Sequence, residues 1–457
     1  MSERKSIPTL GTLFVTLASA TAVLAHHDDG KGNVNPPPLV VQAHEFANVV
    51  AANSAASSNA PQGFAPCING RAADTYDCDG VAMLSHLTLT DLGLSFANDI
   101  WGWTDPRTKR DYALIGGIEG TVIVDIADPR RPDVVGLLPT RTTGAGIWRD
   151  IKVYADHAFV VSEDPDHGMQ VLDLTQVRGI KGDPVTFEET AYYNNFGSAH
   201  NIAINEDSGH AYVIGAADGS SSGDGCEGGL HMIDINEPTN PQFAGCFADH
   251  GYIHDTQCVI YEGPDADYRG REICFNSAAE FITFTPEGII NTVSIVDVTD
   301  KANPVGLARV DYPLDGYSHQ GWLTPDQSHF LHNDELDEQF WGTNTSTRIW
   351  DVRDLDNPGL VENVDHGTTA IGHNAYTEGP YLYASNYTAG LRIYDTTTVA
   401  DGALPEVAYF DLYPENDAAT FEGGTWSNYP YFGQKKIVAV SSMDRGLFVL
   451  RPALGAN

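Results

Sequence analysis

The sequence predicts an all-β protein, a seven-bladed β-propeller of four-stranded antiparallel blades in which an N-terminal strand completes the last blade. Three observations support this prediction. A short apolar run that ends in Asp recurs along the chain, two further alternating apolar runs precede each copy, and the last unit stops one strand short. Four-stranded units of this kind bury their faces by packing against neighbouring units around a ring.

The recurring run marks the third strand of each unit. Its six Asp-terminated copies lie 44 to 63 residues apart, and a seventh copy has Arg451 in place of Asp. The copies cover residues 122–125, 171–173, 232–234, 294–297, 348–351, 392–395 and 447–450. A turn containing Pro follows several of them, which indicates a strand that ends and reverses direction.

Closure of the ring is predicted to join the two ends of the chain. The last unit offers strands at 425–432, 436–441 and 446–451, and the missing fourth strand is predicted at 85–89. Such pairing removes open sheet edges. The expected organisation is a signal peptide (1–25), a flexible lead-in (26–62), a disulfide-stapled segment with the closing strand (63–95) and the propeller (96–457).

The first 25 residues have the pattern of an export signal. Arg4 and Lys5 precede an apolar run over 7–24, and Ala25 is a small residue suited to cleavage. No later stretch is long and apolar enough to span a bilayer, so no membrane insertion is expected after cleavage. The expected location is secreted, extracellular or periplasmic, and retention at the cell surface stays open.

The six cysteines are expected to be paired, as is usual in an exported chain. Their positions on either side of short turns predict local disulfides. The predicted pairs are Cys67 with Cys78, Cys226 with Cys246, and Cys258 with Cys274.

The charge of the chain limits its partners. There are 62 Asp and Glu residues against 25 Lys and Arg, a formal net charge of -37. This charge repels phosphate backbones, so nucleic acid is excluded as a partner, and it attracts cations. An unknown protein, glycan or small molecule at an acidic face is the remaining expectation.

The repeats also carry a family resemblance. Residues 121–125 (TVIVD) and 293–297 (VSIVD) resemble the LVIVD repeat, and the wider pattern resembles the choice-of-anchor B family of exported bacterial proteins. The matching stretches are 98–103, 148–150, 199–202, 254–258, 318–322, 334–338 and 426–431. The resemblance implies an exported propeller with an attachment signal that varies among members, and this chain shows none.

Candidate metal ligands lie where the first strand of each unit begins. His200, His254, His319 and His373 occupy matching places in four consecutive units. First strands line the channel of a propeller, so the four imidazoles should converge at one mouth and suit zinc, copper or iron. The alternative is that they only hydrogen-bond between blades. Three further residues at these strand starts are expected to support the rings, namely Arg149, Asp150 and Asp255.

A second candidate site consists of acidic loops between the second and third strands. Carboxylates there suit calcium, although none has EF-hand spacing, and solvated loops are the alternative. The residues are Asp164 and Asp166 in one unit, and Asp334, Glu335, Asp337 and Glu338 in another.

Two functions therefore remain open. The first is a noncatalytic binding or surface protein that holds a cation, glycan or protein on its acidic face, and the sequence favours it slightly because no nucleophile and base can be named. The second is a metal-dependent oxidoreductase or hydrolase centred on the four histidines. No catalytic residue is identified.

Overall fold

The computed structural model describes residues 62–142, 146–219, 224–281 and 289–455. The predicted signal peptide and the lead-in up to residue 61 lie outside these ranges. Within the described ranges, no helix has the length and apolarity needed to cross a membrane.

The structure is a seven-bladed β-propeller, as the repeats predict. Blades 1 to 7 are built from four antiparallel strands each, with the first strand of every blade innermost. In chain order the strands are β1 Arg71–Ala72, β2 Tyr76–Asp79, β3 Val81–Leu87, β4 Ala97–Thr104, β5 Asp111–Gly117, β6 Gly120–Asp125, β7 Asp133–Pro139, β8 Arg149–Tyr154, β9 His157–Ser162, β10 Met169–Asp173, β11 Val185–Thr186, β12 Ala191–Tyr193, β13 Asn201–Asn205, β14 His210–Ile214, β15 Leu230–Asp234, β16 Gln242–Phe247, β17 Tyr252–Ile260, β18 Glu272–Phe281, β19 Ile289–Asp297, β20 Val305–Val310, β21 Ser318–Leu323, β22 His329–Asp334, β23 Ser346–Asp351, β24 Gly359–Asp365, β25 Ala375–Glu378, β26 Tyr381–Ser385, β27 Leu391–Asp395, β28 Glu406–Phe410, β29 Thr425–Phe432, β30 Ile437–Ser442 and β31 Gly446–Pro452. Two short α-helices, α1 (Leu89–Leu92) and α2 (Asp337–Trp341), and 3-10 turns at Leu174–Val177, Cys226–Gly228 and Val399–Asp401 lie between them.

The blades are consecutive along the chain. They comprise β4–β7, then β8–β10 with β12, then β13–β16, β17–β20, β21–β24 and β25–β28, and finally β29–β31 with β3. The inner strands β4, β8, β13, β17, β21, β25 and β29 contact one another around the ring. Since all seven run from the same mouth of the channel, their first residues meet at one end, named here the histidine mouth, and their last residues meet at the opposite mouth.

The Asp that ends the recurring run has a structural role. In blade 1, Asp125 Oδ1 accepts a hydrogen bond of 2.9 Å from the backbone N–H of Ala127, two residues further on. The same bond recurs at Asp173, Asp234, Asp297, Asp351 and Asp395. It closes an Asx turn, which explains why Asp ends the third strand.

The predicted closing strand pairs with the end of the chain. β3 lies antiparallel to β31, with Ser85 opposite Val449. The strand begins earlier than predicted, at Val81, and ends at Leu87. It stops there because Thr88 caps α1: its hydroxyl accepts from Asp91 N–H, and the Asp91 carboxylate accepts from Thr88 N–H.

The three predicted disulfides are confirmed, and all six cysteines are used. Cys258 and Cys274 stand opposite each other in the register of β17 and β18. The Cys67–Cys78 bridge staples the segment that packs β1 and β2 onto the outer edge of blade 6.

The core consists of apolar layers between neighbouring blades. One layer joins blades 1 and 2 through Leu114, Ile151 and Leu172, all at most 1% exposed. Each such side chain contributes about 1.5–3 kcal/mol when fully buried. This packing fixes the inner strands and therefore the side chains that point into the channel.

Candidate functional site

Seven aromatic rings meet at the histidine mouth, one from each blade, and they are Phe96, Trp148, His200, His254, His319, His373 and Trp426. The four histidines form a continuous arc. Ring centroids are 4.4 Å apart between His200 and His254, 4.5 Å between His254 and His319, and 4.3 Å between His319 and His373. The fold thus brings the four imidazoles side by side at one mouth, and their binding of a metal ion stays a prediction.

The rest of the mouth is filled by apolar rings. Trp426 lies 4.2 Å from His373 and stacks on Trp148 at 4.3 Å, and Phe96 meets Trp148 edge-on at 5.8 Å. Phe96 and Trp148 were not among the site residues predicted from the sequence. The available signal was an aromatic residue near the start of each first strand, two residues before Asn98 and directly before Arg149.

Two histidines are oriented by backbone carbonyls of the next blade. His254 Nδ1 lies 2.8 Å from the carbonyl oxygen of His319, and His373 Nδ1 lies 2.5 Å from that of Trp426. A carbonyl can only accept, so Nδ1 carries the proton in both rings. Their Nε2 atoms hold the free lone pair.

The other two are oriented by side chains. His200 Nδ1 donates to Glu163 Oε1 at 2.6 Å, and His319 Nδ1 donates to Asn333 Oδ1 at 3.3 Å. Asn333 Oδ1 also accepts from Gln320 N–H at 3.0 Å, while its amide NH₂ donates to the carbonyl of His373. The amide orientation and the tautomer of His319 are therefore fixed together.

In their neutral form all four rings consequently present an unprotonated Nε2. Within the described part of the chain, no group hydrogen-bonds to any of these Nε2 atoms. Rings whose Nδ1–H is held by a carboxylate or carbonyl while Nε2 stays free have the orientation of metal-binding histidines.

Glu335 lies among these nitrogens. Its Oε1 is 3.5 Å from His373 Nε2 and its Oε2 is 3.9 Å from His319 Nε2, while Tyr387 O–H donates to Oε1 at 2.8 Å. His254, His319 and Glu335 each offer a ligand atom within 4.8 Å of the others. The sequence interpretation assigned Glu335 to a calcium loop, whereas the structure places it in the histidine cluster.

Burial controls protonation at the mouth. It lowers the pKa of His254, His319 and His373 well below the usual range, and neighbouring imidazoles add to this effect at all three rings. Burial raises the pKa of Glu335 to about 7. Burial also opposes a charge on His200, but the bond to Glu163 outweighs it and raises the pKa.

The residues predicted to support the rings have other partners. Asp150 accepts from Lys152 Nζ at 2.6 Å and from Ile202 N–H at 2.7 Å. Asp255 accepts from the N–H of Thr256. Arg149 contacts His167 Nε2 at 3.0 Å. In the described part of the chain none of the hydrogen bonds of Arg149, Asp150 and Asp255 goes to an imidazole of the cluster, so a supporting role for these three residues stays a prediction.

Lys152 holds together a buried charge cluster below the histidines. Its Nζ lies 2.6 Å from Asp150 and 3.5 Å from Asp99, and each of the three residues is at most 8% exposed. Burial raises the pKa of Asp99 well above its usual range. Burial acts the same way on Asp150, but the Lys152 ammonium and several hydrogen bonds outweigh it and lower the pKa.

Replacing Lys152 with Met is expected to destabilise the protein by about 3–5 kcal/mol, because an uncompensated carboxylate stays buried. Urea unfolding measures the change. Lys181→Met is the control, since Lys181 is exposed, and it should change the free energy of unfolding by less than about 0.5 kcal/mol. Equal small effects of the two substitutions would contradict the charge-cluster interpretation.

The carboxylates proposed for calcium are mostly engaged by protein donors. Asp334 accepts from Tyr312 O–H, Gly316 N–H and three further backbone N–H groups. Asp337 pairs with Arg348 at 2.9 Å, Glu338 accepts from Gly372 N–H, and Asp164 accepts from Thr142 O–H. Asp166 is exposed. In the described ranges, Glu335 is the only one of these residues that belongs to a group of three close ligand atoms, and its partners there are His254 and His319. Calcium binding therefore stays a prediction.

Comparison with known proteins adds one family match. The LVIVD repeat model matches residues 109–140, which correspond to the outer part of blade 1. No curated protein matches the chain. Among solved structures, the chain is similar to the β-propeller domain of Myceliophteria thermophila Cps50 (Swd1), with 11% identity, a TM-score of 0.46 and coverage of 75% of this chain and 94% of that one. It is also similar to U3-55K, with 8% identity, a TM-score of 0.49 and coverage of 82% and 98%. At these scores neither likeness bears on function.

Proposed function

We propose that this chain is an exported propeller of the choice-of-anchor B type that binds a transition-metal ion at the histidine mouth. One observation carries the proposal: four imidazoles from consecutive blades, three of them buried and His200 partly exposed, lie side by side with each Nδ1 engaged by a hydrogen bond, and His254, His319 and Glu335 bring ligand atoms within 4.8 Å of one another. A purely structural role, in which the histidines connect neighbouring blades, needs only the hydrogen bonds made by Nδ1. An Nε2 lone pair left free on a ring whose Nδ1 is held by a partner is what a metal ligand requires.

The distances suit a single ion. Two ligand atoms at about 2.1 Å from one ion lie about 3.4 Å apart at the tetrahedral angle. Glu335 Oε1 and His373 Nε2 are 3.5 Å apart. His254, His319 and Glu335 bring ligand atoms within 4.8 Å of one another, with His319 Nε2 and Glu335 Oε2 3.9 Å apart, and His200 and His373 flank this set.

The donor set selects the class of metal. Imidazole with a carboxylate suits zinc, copper or iron, whereas calcium prefers oxygen ligands alone. The six cysteines are all in disulfides, so no thiolate competes. An ion with an open position could activate water or a substrate, and this supports a metal-dependent oxidoreductase or hydrolase as the catalytic form of the proposal.

A binding scaffold is the second candidate. Its support is the net charge of -37 together with the LVIVD-repeat propeller architecture, which offers an acidic loop face to a cation, a glycan or a protein. In that case the metal at the mouth would stabilise the channel and perform no reaction. Export is supported by the three disulfides and by the N-terminal sequence pattern.

Metal content tests the proposal directly. The full chain, exported by its host and purified without added metal or chelator, is expected to carry about one transition-metal ion per molecule by plasma mass spectrometry. The measurement should be repeated after dialysis and reloading with zinc, copper and iron in turn. Protein that holds no transition metal before or after reloading, or that holds calcium alone, would leave the scaffold as the better function.

A further inference from the structure

A second feature lies at the opposite mouth of the channel. A cavity of about 450 Å³ opens there, below the buried charge cluster. One wall consists of five aromatic side chains from four inner strands, namely Trp101, Trp322, Tyr376, Tyr429 and Tyr431. Within the described ranges no histidine lines it, so this cavity is distinct from the proposed metal site.

The aromatic wall is held together by edge-to-face contacts. Trp101 meets Tyr429 at 5.1 Å and Tyr376 at 5.7 Å, and Trp322 meets Tyr376 at 4.9 Å. Tyr376 is buried, whereas both tryptophans and Tyr429 are partly exposed. Large aromatic side chains exposed inside a cavity are typical of a ligand-binding surface.

The other wall is acidic. Asp255, Glu206 and Asp207 line it, and the one basic residue among the lining side chains is Lys152. The ammonium of Lys152 is already held by Asp150 and Asp99. Burial raises the pKa of Asp255 to about 7 even though the charge of Lys152 opposes this rise, and burial also raises the pKa of Glu206. A cation in the cavity would stabilise the ionised form of both groups, so the cavity favours a positively charged occupant.

Lys152 gives an example of an ammonium group bound by the aromatic wall. Its Nζ lies 4.6 Å from the centre of the Trp101 ring. The tryptophan and tyrosine rings beside it offer the same negative faces, which attract ammonium groups of ligands.

A neutral, hydroxyl-rich ligand fits this cavity less well. Such a ligand needs hydrogen-bond donors from the protein as well as acceptors, yet the Asn205 amide already donates to Glu272 and the Lys152 ammonium already donates to Asp150. We propose that the cavity binds a small organic cation carrying a quaternary or protonated ammonium group. The aromatic faces and the carboxylates bind this group jointly.

Calorimetric titration of the full chain with choline tests the proposal. The comparator is 3,3-dimethylbutan-1-ol, which has the same shape without the charge. Choline is expected to bind at least about tenfold more tightly than the neutral alcohol. Equal binding of the two would overturn the proposal, as would tighter binding of maltose or the absence of choline binding at concentrations on the order of 10 mM.

Matched variants locate the site. Trp322→Ala should weaken choline binding about tenfold or more, and Trp322→Phe, which keeps an apolar ring, should weaken it less. Trp341→Ala is the control because Trp341 is 43% exposed and lies in α2, outside the cavity. Glu206→Gln should also weaken binding, whereas Asp267→Asn in an exposed turn should not. Unchanged affinity in both Trp322 variants, with the thermal midpoint preserved, would show that choline binds elsewhere.

Discussion

Replacement of His319 with Ala is expected to lower the affinity for the bound transition metal by more than about 100-fold, since loss of a mere supporting partner already costs 10- to 100-fold. His319 is one of the two inner members of the arc, 4.5 Å from His254 and 4.3 Å from His373 by ring centroid. Its Nε2 is also 3.9 Å from Glu335. Removing it therefore separates the two halves of the proposed ligand set.

The variant should stay folded. His319 Nδ1 makes one hydrogen bond, to Asn333, and the loss of such a bond costs about 1 kcal/mol. His329→Ala is the matched control, because His329 is 4% exposed and begins β22 in the same blade, at the end remote from the mouth. Metal titration followed by plasma mass spectrometry, with thermal unfolding of each variant, gives both readouts.

Two outcomes would contradict the assignment. If His319→Ala and His329→Ala retained equal amounts of metal, the ion would bind elsewhere. If His319→Ala lost several kcal/mol of stability while the parent held no metal, the arc would act only as a structural connection between blades. A Glu335→Gln variant, which keeps the shape of the side chain, separates these cases further because it should lower metal affinity without unfolding the ring.

The fold could be predicted because its signals repeat. The Asp at the end of each third strand makes the same Asx turn in six blades, and this local hydrogen bond needs no knowledge of tertiary structure. Strand ends were less predictable. The closing strand stops at Leu87 because Thr88 and Asp91 form a capping box that starts α1. This capping box can be recognised in the sequence, but the apolar pattern alone extended the predicted strand to residue 89.

The histidines of the site could be predicted for the same reason, since they occupy one position in four repeats. Their partners could not be predicted in this way. Glu163 and Glu335 both follow the end of a second strand, where acidic residues normally face water, and only the three-dimensional packing turns Glu335 into the channel. By contrast, Lys152 stands two residues after Asp150 on β8, on the same side of the strand, so this charge pair was readable from sequence.

Deletion of residues 63–95 is expected to prevent stable folding, whereas deletion of 26–60 is expected to change the thermal midpoint little. The first deletion removes β3 and leaves the whole length of β31 as an open edge. It also removes Val81 and Met83 from one inter-blade layer and Leu84 from the next. Each buried side chain of this kind contributes about 1.5–3 kcal/mol, so the sum approaches the about 5–15 kcal/mol that stabilises a typical domain.

A point substitution keeps this test informative if the truncated chain cannot be recovered. Leu84 is 1% exposed and packs with Leu447 and Val449. Leu84→Ala should therefore cost about 2–5 kcal/mol, whereas Ile68→Ala in the same N-terminal segment, where Ile68 is 62% exposed, should cost less than about 0.5 kcal/mol. Urea unfolding measures both. If the two truncations melted at the same temperature, or if Leu84→Ala were as mild as Ile68→Ala, the N-terminal strand would not be what closes the ring.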